Sequence, residues 1–600
     1  MDSMETYPKN SAARLVTGDD ASSSTGTTAS KATLAGAADP YELDRLLHAQ
    51  QARLTSGLSL SSCWLAWADW AIHLANAPAR RADLGRKALE QWHRYLDAAA
   101  GAHVIDTTPQ DHRFRSPLWQ RPPYNLLYQG FLLAEEWWGQ ASDGGPAVGR
   151  HNQQIVSFAA RQWLDVFSPS NIPWLNPEVI EETAATGGRN FQLGVQNFLN
   201  DLRETQNDIP SETRHFKLGE GLAVTPGKVV LRNALIELIQ YAPMTDRVRP
   251  EPVLIVPAWI MKYYILDLSP QDSLIRYLVG QGYTVFAISW KNPGPELRDM
   301  GMDDYRRLGP MAALDAIGAI CGDTPVHGCG YCLGGTLLSI TAAAMARDQD
   351  QRLKSLTLFA AQTDFTEAGE LQLFISEGQL SFLEDVMAVH GTLDSRQMAG
   401  AFQMLRSNDL VWSRLINSYL LGRTEADSDL MAWNADGTRM PARMHSQYLR
   451  RLFLDNDLAE GRFVVDGRPV SLSDIHVPIF VVGTETDHIA PWHSVYKLHS
   501  LSPAEITFVL TSGGHNAGIV SEPGHPHRSF RSLTRIPGSP YQGPEEWHQT
   551  AKPQEGSWWP FWVDWLGERS HEAGSPPALG APKKGYGVLG DAPGTYVFEH

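Results

Sequence analysis

The chain has 600 residues, 43% of them hydrophobic, with 19 tryptophans and a formal net charge of -17. That length exceeds what one hydrophobic core usually fills, so a catalytic-sized domain plus a second folded region is expected. The acidic balance excludes a diffuse attraction to nucleic acid or an anionic bilayer, and four cysteines are too few for a disulfide framework, which favours a reducing compartment.

Residues 1–40 are rich in Ser, Thr, Ala, Gly and Asp and poor in large apolar side chains, so they predict a disordered tail. The start has no basic stretch followed by an apolar run, so no secretory signal is expected and the chain reads as cytoplasmic. No uninterrupted apolar run is long enough to predict a transmembrane segment. Residues 41–213 predict a helical N-terminal domain, with "PYNLLYQGFLLAEEWW" and "NQQIVSFAARQWLDVFS" spacing apolar residues three and four apart. The catalytic domain is expected over 214–600. There "PVLIVP", "YTVFAISW", "TPVHGCG", "SLTLFAA", "PIFVVGTETD" and "ITFVLTSGGH" are near-continuous apolar strands, with helical stretches such as "SLIRYLVGQG" and "TLLSITAAAMARD" between them. This alternation predicts a mostly parallel, doubly wound sheet. Residues 362–465 interrupt it with helical, tryptophan-bearing sequence, either an inserted cap or extra helices on the sheet.

The stretch "VHGCGYCLGG" (326–335) admits three kinds of chemistry. A structural zinc site usually needs two ligand pairs and no second pair follows, so no metal is expected. A redox pair would place both thiols near a helix start, whereas Cys329 precedes the turn inside the strand and reads as a small buried hydrophobe. Gly330-Tyr331-Cys332-Leu333-Gly334 fits a nucleophile elbow: strand, strained turn, helix, with glycines where bulk would clash. The fold this implies is the α/β-hydrolase fold. A thiol there lies near a helix N-terminus, and the Leu333 N–H would face an oxyanion. The second donor is expected from the loop after "PVLIVP", at Ile260.

An elbow nucleophile requires an acid and then a histidine, each on a loop after a late strand. Asp487 closes "PIFVVGTETD" and His515 closes "ITFVLTSGGH". His515 would take the thiol proton while Asp487 fixes its tautomer. Asp364 is the runner-up acid. His488, adjacent to Asp487, is a candidate substrate contact, His327 reads as a packed strand residue, and His525 and His527 read as loop.

Through these residues the chain resembles the polyhydroxyalkanoate synthases, most of all the single-subunit class I enzymes. Matching stretches include "VPAWIMKYYILDLSPQDSLIRYLVGQG", "TVFAISWKNP", "GYCLGG", "NDLVW", "TDHIAPW", "GGHNAGIV" and "GSWWPFWVDWL", spread from about Asp111 to Tyr596. The resemblance implies polymerisation of (R)-3-hydroxyacyl-coenzyme A, with 3-hydroxybutyryl-coenzyme A as the expected monomer. The acyl group would load on Cys332 with release of coenzyme A and no other cofactor, and Cys332, Asp487 and His515 would be the catalytic set. It implies that the acid helps activate a hydroxyl or only orients the histidine, that the helical region assists association with a polyester granule surface, and that the enzyme is a homodimer. The motif reads Gly-His-Asn where the family commonly has Gly-His-Ile, which makes Asn516 a candidate pocket residue. "SWWPFWVDW" (Trp558, Trp559, Trp562, Trp565) either packs a C-terminal helix or faces the polyester, with packing the commoner fate of such aromatics. The rival activities are a depolymerase or a thioesterase with a cysteine nucleophile, and a granule-coating protein that kept the fold without catalysis.

Overall fold

Apolar runs of four to seven residues build the sheet, and each sends alternate side chains to opposite faces. A computed structural model describes residues 41–55, 57–108, 111–143, 145, 148–206, 216–393, 411–423 and 428–600. The predicted tail over 1–40 and the domain boundary at 213/214 lie outside the described residues, as do 394–410 and 424–427 of the interrupting segment. The strands are β1 (Gly227–Arg232), β2 (Ile236–Tyr241), β3 (Val253–Val256), β4 (Val285–Trp290), β5 (Val326–Tyr331) and β6 (Leu353–Phe359). Four two-residue strands follow outside the main sheet: β7 (Thr392–Leu393), β8 (Met440–Pro441), β9 (Val464–Val465) and β10 (Arg468–Pro469). The sheet resumes with β11 (Ile479–Thr484), β12 (Ile506–Thr511), β13 (Ser529–Arg535), β14 (Pro553–Glu555) and β15 (Gly590–Asp591).

The eleven-stranded sheet runs in the order β14-β13-β12-β11-β6-β5-β3-β4-β2-β1-β15. From β12 through β4 every pairing is parallel. These six strands are the ones legible in the sequence, each offset by one to four residues at an end from its apolar run. The flanks are antiparallel, so the α/β-hydrolase sheet is mixed, with a parallel centre. The edge strands were missed because several carry charged and half-buried residues, as in the partly exposed β13 and the exposed β14, and an edge needs only one covered face.

Val253 and Ile255 enter one core and Leu254 and Val256 the other, so β3 is buried on both faces. On the first face lie Trp558, Trp559, Trp562 and Trp565, carried by or capping the helix Trp559–Gly567. The four indoles are buried, Trp558, Trp562 and Trp565 against Phe359 or Phe480 and Trp559 against Tyr277. Their N–H groups donate to Gly518 O, Ile519 O, Thr357 Oγ1 and Thr507 Oγ1 in turn. The segment is therefore a packed helix, and the polyester-facing reading of it is overturned. The opposite face holds Leu333–Arg347, the helix after the elbow.

Asp44–His600 form one compact unit, and within it the N-terminal helices pack on the segment between β6 and β11. Ser59 N donates to Gln379 Oε1 at 2.7 Å, Gln379 Nε2 returns a bond to Gly57 O at 2.6 Å, and the Phe158 and Phe374 rings meet edge to face. Asn190 and Asn197 on the helix Arg189–Gln206 donate to Leu420 O and Ser418 O. The helical region has its own charged centre: Arg113 lies by Phe114 and Phe131 and donates to Asp111, Glu135 and the buried Asp165. Burial opposes its charge, but the three carboxylates raise its ionisation above the ordinary guanidinium value.

Two stability predictions follow from these buried groups. Trp562→Ala leaves a cavity under the sheet, and urea unfolding should show a loss of about 3–5 kcal/mol. Arg113→Ala strands three acidic groups, one fully buried, and the same measurement should show a loss of about 3–5 kcal/mol.

Candidate active site

The end of β5 and the start of the following helix meet at Cys332, whose φ of 52° and ψ of -126° are unusual for a residue with a side chain. Three glycines make the turn possible. A Cβ on Gly330 would lie 2.4 Å from Gly335 Cα, one on Gly334 would lie 2.1 Å from Val256 O, and one on Gly335 would lie 2.5 Å from Ala361 Cβ. The helix thus runs against both β5 and the end of β3. Cys332 N donates to Phe359 O at 2.8 Å, while its carbonyl accepts Gly335 N and Thr336 N. Cys329, three residues earlier, is buried in the strand, and burial holds its thiol well above the ordinary value. His327 donates or accepts at Ser355 and Ser570, and burial lowers its imidazole to about 4.

Asp487 lies three residues beyond β11 and His515 four beyond β12, at the edge of the sheet where Cys332 emerges. His515 Nδ1 is 2.7 Å from Asp487 Oδ2, and the Cys332 thiol acts electrostatically on the same imidazole. Thr484 Oγ1 donates to Asp487 Oδ2 at 2.9 Å, and the N–H groups of Ile489 and Ala490 donate to Oδ1 at 2.8 and 2.9 Å. Burial alone would raise the carboxyl, yet His515 and the two backbone donors hold it below its ordinary value. Burial likewise opposes charge on His515, but Asp487 and Cys332 raise it well above the ordinary imidazole value.

Asp364, the runner-up acid, is engaged elsewhere: its Oδ1 accepts Thr366 N at 2.8 Å and lies 3.7 Å from Lys497 Nζ. Leu333 N and Ile260 N have no hydrogen-bond partner among the described residues. His488 is half-buried, and its carbonyl abuts Gly369 and accepts the Glu370 amide. Asn516 Oδ1 accepts the Tyr331 hydroxyl at 2.6 Å, and the Tyr331 ring lies against His515 with centroids 5.6 Å apart. The residue before the cysteine is thus tied to the residue after the histidine. Neither Tyr331 nor Thr484 carries a sequence signal: the tyrosine's partner Asn516 is far away in the chain, and a threonine three residues before an aspartate is too common a pattern to mark a contact. No group of three potential metal ligands occurs among the described residues, and no described helix is long and apolar enough to cross a membrane.

Comparison with known proteins agrees with this architecture. Residues 110–278 match the family described as "Poly-beta-hydroxybutyrate polymerase (PhaC) N-terminus", 38–80 match "Poly-beta-hydroxybutyrate polymerase N terminal", and 251–522 match "alpha/beta hydrolase fold". The chain is 42% identical over 529 residues to a poly(3-hydroxyalkanoate) polymerase of Methylorubrum extorquens, covering 86% of this chain and 85% of the relative. A polymerase subunit of Rhizobium meliloti is 37% identical over 85% of this chain and 83% of its own. One from Cupriavidus necator is 35% identical over 87% and 89%. Identity of this extent, spanning the helical region and the sheet alike, shows that the chain belongs to the poly(3-hydroxyalkanoate) polymerase family.

Proposed function

We propose that this chain polymerises (R)-3-hydroxyacyl groups from coenzyme A thioesters, with 3-hydroxybutyryl-coenzyme A as monomer, through a thioester on Cys332. The observation that carries the reading is the buried His515–Asp487 pair at the sheet edge where Cys332 emerges on a strained backbone, with the thiol raising the imidazole's ionisation. Cys332 Sγ attacks the acyl carbonyl, whose π electrons move to oxygen, and the N–H groups of Leu333 and Ile260 receive that charge. Collapse breaks the bond to the coenzyme A sulfur, which leaves with the proton His515 took from the thiol. In the second half, His515 removes the proton of a hydroxyl, its oxygen attacks the Cys332 thioester, and an ester forms as the Cys332 sulfur departs and recovers the proton. Exchange between two sulfurs is close to thermoneutral, so the enzyme thioester is readily discharged to a hydroxyl. A polymer survives only if water is kept out, which is the task assigned to the cap over 362–465.

Asp487 is assigned an orienting role. A carboxylate offers about four acceptor positions, and Thr484, Ile489, Ala490 and His515 occupy four. None remains for an incoming hydroxyl. Asn516 is assigned to hold the His515 loop through Tyr331, and His488 to line the substrate side of the acid loop. No metal or further cofactor takes part in this scheme. The polymerase relatives favour this activity over a depolymerase or a thioesterase.

The granule surface is assigned to the helical region over 41–213. Trp64, Trp163 and Trp174 are 65%, 68% and 75% exposed there, and Trp67 and Trp92 are also exposed. Large indoles on the surface of an otherwise well-packed chain mark an apolar partner, and a homodimer contact is assigned to the same chain on the strength of the family. The cytoplasm is the compartment that supplies coenzyme A thioesters.

Three measurements test this. Cys332→Ala should abolish coenzyme A release from 3-hydroxybutyryl-coenzyme A and leave no acyl adduct by mass spectrometry; formation of free acid in place of polyester by the intact enzyme would favour the hydrolase rivals. Asp487→Asn removes the main attraction on the imidazolium, so His515 should lose its proton at lower pH in an NMR titration. The sign follows from linkage: a raised imidazole value contributes stability below the ordinary histidine range, and that contribution is lost as pH rises through the folded value. Replacing Trp163 and Trp174 together by Ser should weaken binding to a polyester film by about tenfold without changing coenzyme A release; unchanged binding would remove the surface from these residues.

A further inference from the structure

The loop after β3 is held by its carbonyl groups, and most of the donors come from the insertion between β6 and β11. Thr438 supplies two: its hydroxyl donates to Trp259 O at 2.6 Å and its amide to Ile260 O at 3.0 Å. Trp433 Nε1 donates to Lys262 O at 2.8 Å, and Met261 faces Gly437 in an isolated antiparallel bridge. From the sheet side, Trp290 Nε1 donates to Pro257 O at 2.8 Å. A trans peptide is planar with its N–H opposite its C=O, so anchoring Trp259 O sets the direction of the Ile260 N–H. That N–H points away from Thr438 and carries no hydrogen bond among the described residues. Thr438 is wholly buried, and a buried hydroxyl without solvent has strong reason to keep its one acceptor. On the other side, Gly334 brings the helix start with the Leu333 N–H against Val256 O and Pro257.

We propose that Thr438 is a positioning residue for acyl transfer: from the insertion, it holds the Trp259–Ile260 peptide so that the Ile260 N–H meets the oxyanion that forms on the acyl carbonyl. This rests on the assignment of Cys332 as nucleophile with Leu333 and Ile260 as donors. Its consequence is that the insertion is part of the catalytic apparatus as well as a cover. Any displacement of residues 433–439 from the loop after β3 releases the second oxyanion donor, so the enzyme can stabilise the transition state only with this segment seated.

The test compares Thr438→Val, Thr438→Ser and Cys332→Ala in the full chain by two reactions at the same thiol. One is single-turnover release of coenzyme A from 3-hydroxybutyryl-coenzyme A; the other is alkylation of Cys332 by iodoacetamide, which develops no oxyanion. Thr438→Val should slow acylation by about ten- to a hundredfold, a fraction of what loss of an oxyanion donor costs, with KM and the alkylation rate nearly unchanged. Thr438→Ser keeps the hydroxyl and should acylate close to the wild-type rate. Wild-type acylation by Thr438→Val overturns the proposal, as does an equal loss in acylation and alkylation, which would mean a merely structural role, or a serine variant as slow as the valine one. Coenzyme A release by Cys332→Ala would instead overturn the nucleophile assignment, and the proposal with it.

Discussion

The backbone at Cys332 is held in a conformation that costs about 1–3 kcal/mol for a residue with a Cβ, and the surrounding layers are arranged so that it cannot relax. Gly330, Gly334 and Gly335 let the helix, β5, the end of β3 and Ala361 approach within distances that no side chain would allow. The parallel register of β3, β5 and β6 fixes the height at which those pieces meet, with Val256 beside Gly330 and Gly330 beside Leu358. The thiol therefore stands at the start of a helix, beyond the end of the strand. A methyl group at any of the three glycines would have to move main chain, so the strain is confined to one residue by three that have no side chain.

Burial sets the electrostatics around that point. A desolvated carboxylate is costly unless its acceptors are filled, and Asp487 meets this with two backbone amides, a threonine hydroxyl and the imidazole. The same saturation makes it a fixed negative partner of His515 with no spare lone pair. The Tyr331 hydroxyl on Asn516 then couples the nucleophile strand to the histidine loop, which keeps thiol and imidazole in register without another charge.

Outside the sheet the chain is layered by dependence. The insertion between β6 and β11 supplies Thr438 and Trp433 to the loop after β3, and the N-terminal helices grip that insertion at Gln379, Phe374, Ser418 and Leu420. A helical region with no catalytic side chain of its own thus reaches the site through hydrogen bonds and ring contacts on the cover. Such a contiguous set of contacts is a physical route for influence between regions, and ion pairs such as Arg161–Glu370 and Arg414–Asp201 belong to it as well.

Much of this was legible in the chain itself. Strands buried on both faces must be apolar throughout, so β3 to β6, β11 and β12 announced themselves, and the glycines around Cys332 are a local steric requirement visible as spacing. Asp487 and His515 could be placed because each ends an apolar strand, and the same period of burial made Cys329 core. The tryptophans of "SWWPFWVDW" could be read as core or surface, and only their partners, Phe359, Phe480 and four hydrogen-bond acceptors, decided for core. The antiparallel edges, the tie from Tyr331 to Asn516 and the anchoring of Trp259 by Thr438 left no mark in the sequence. They join residues far apart in the chain through single hydrogen bonds or half-covered strands, and neither periodicity nor composition encodes which distant group a lone threonine or asparagine will meet. Sequence by itself determined the parallel centre of the sheet, the elbow and the placing of Asp487 and His515 after late strands, because those follow from local sterics and burial; the tertiary structure alone decided what holds the loop after β3 and the histidine in place.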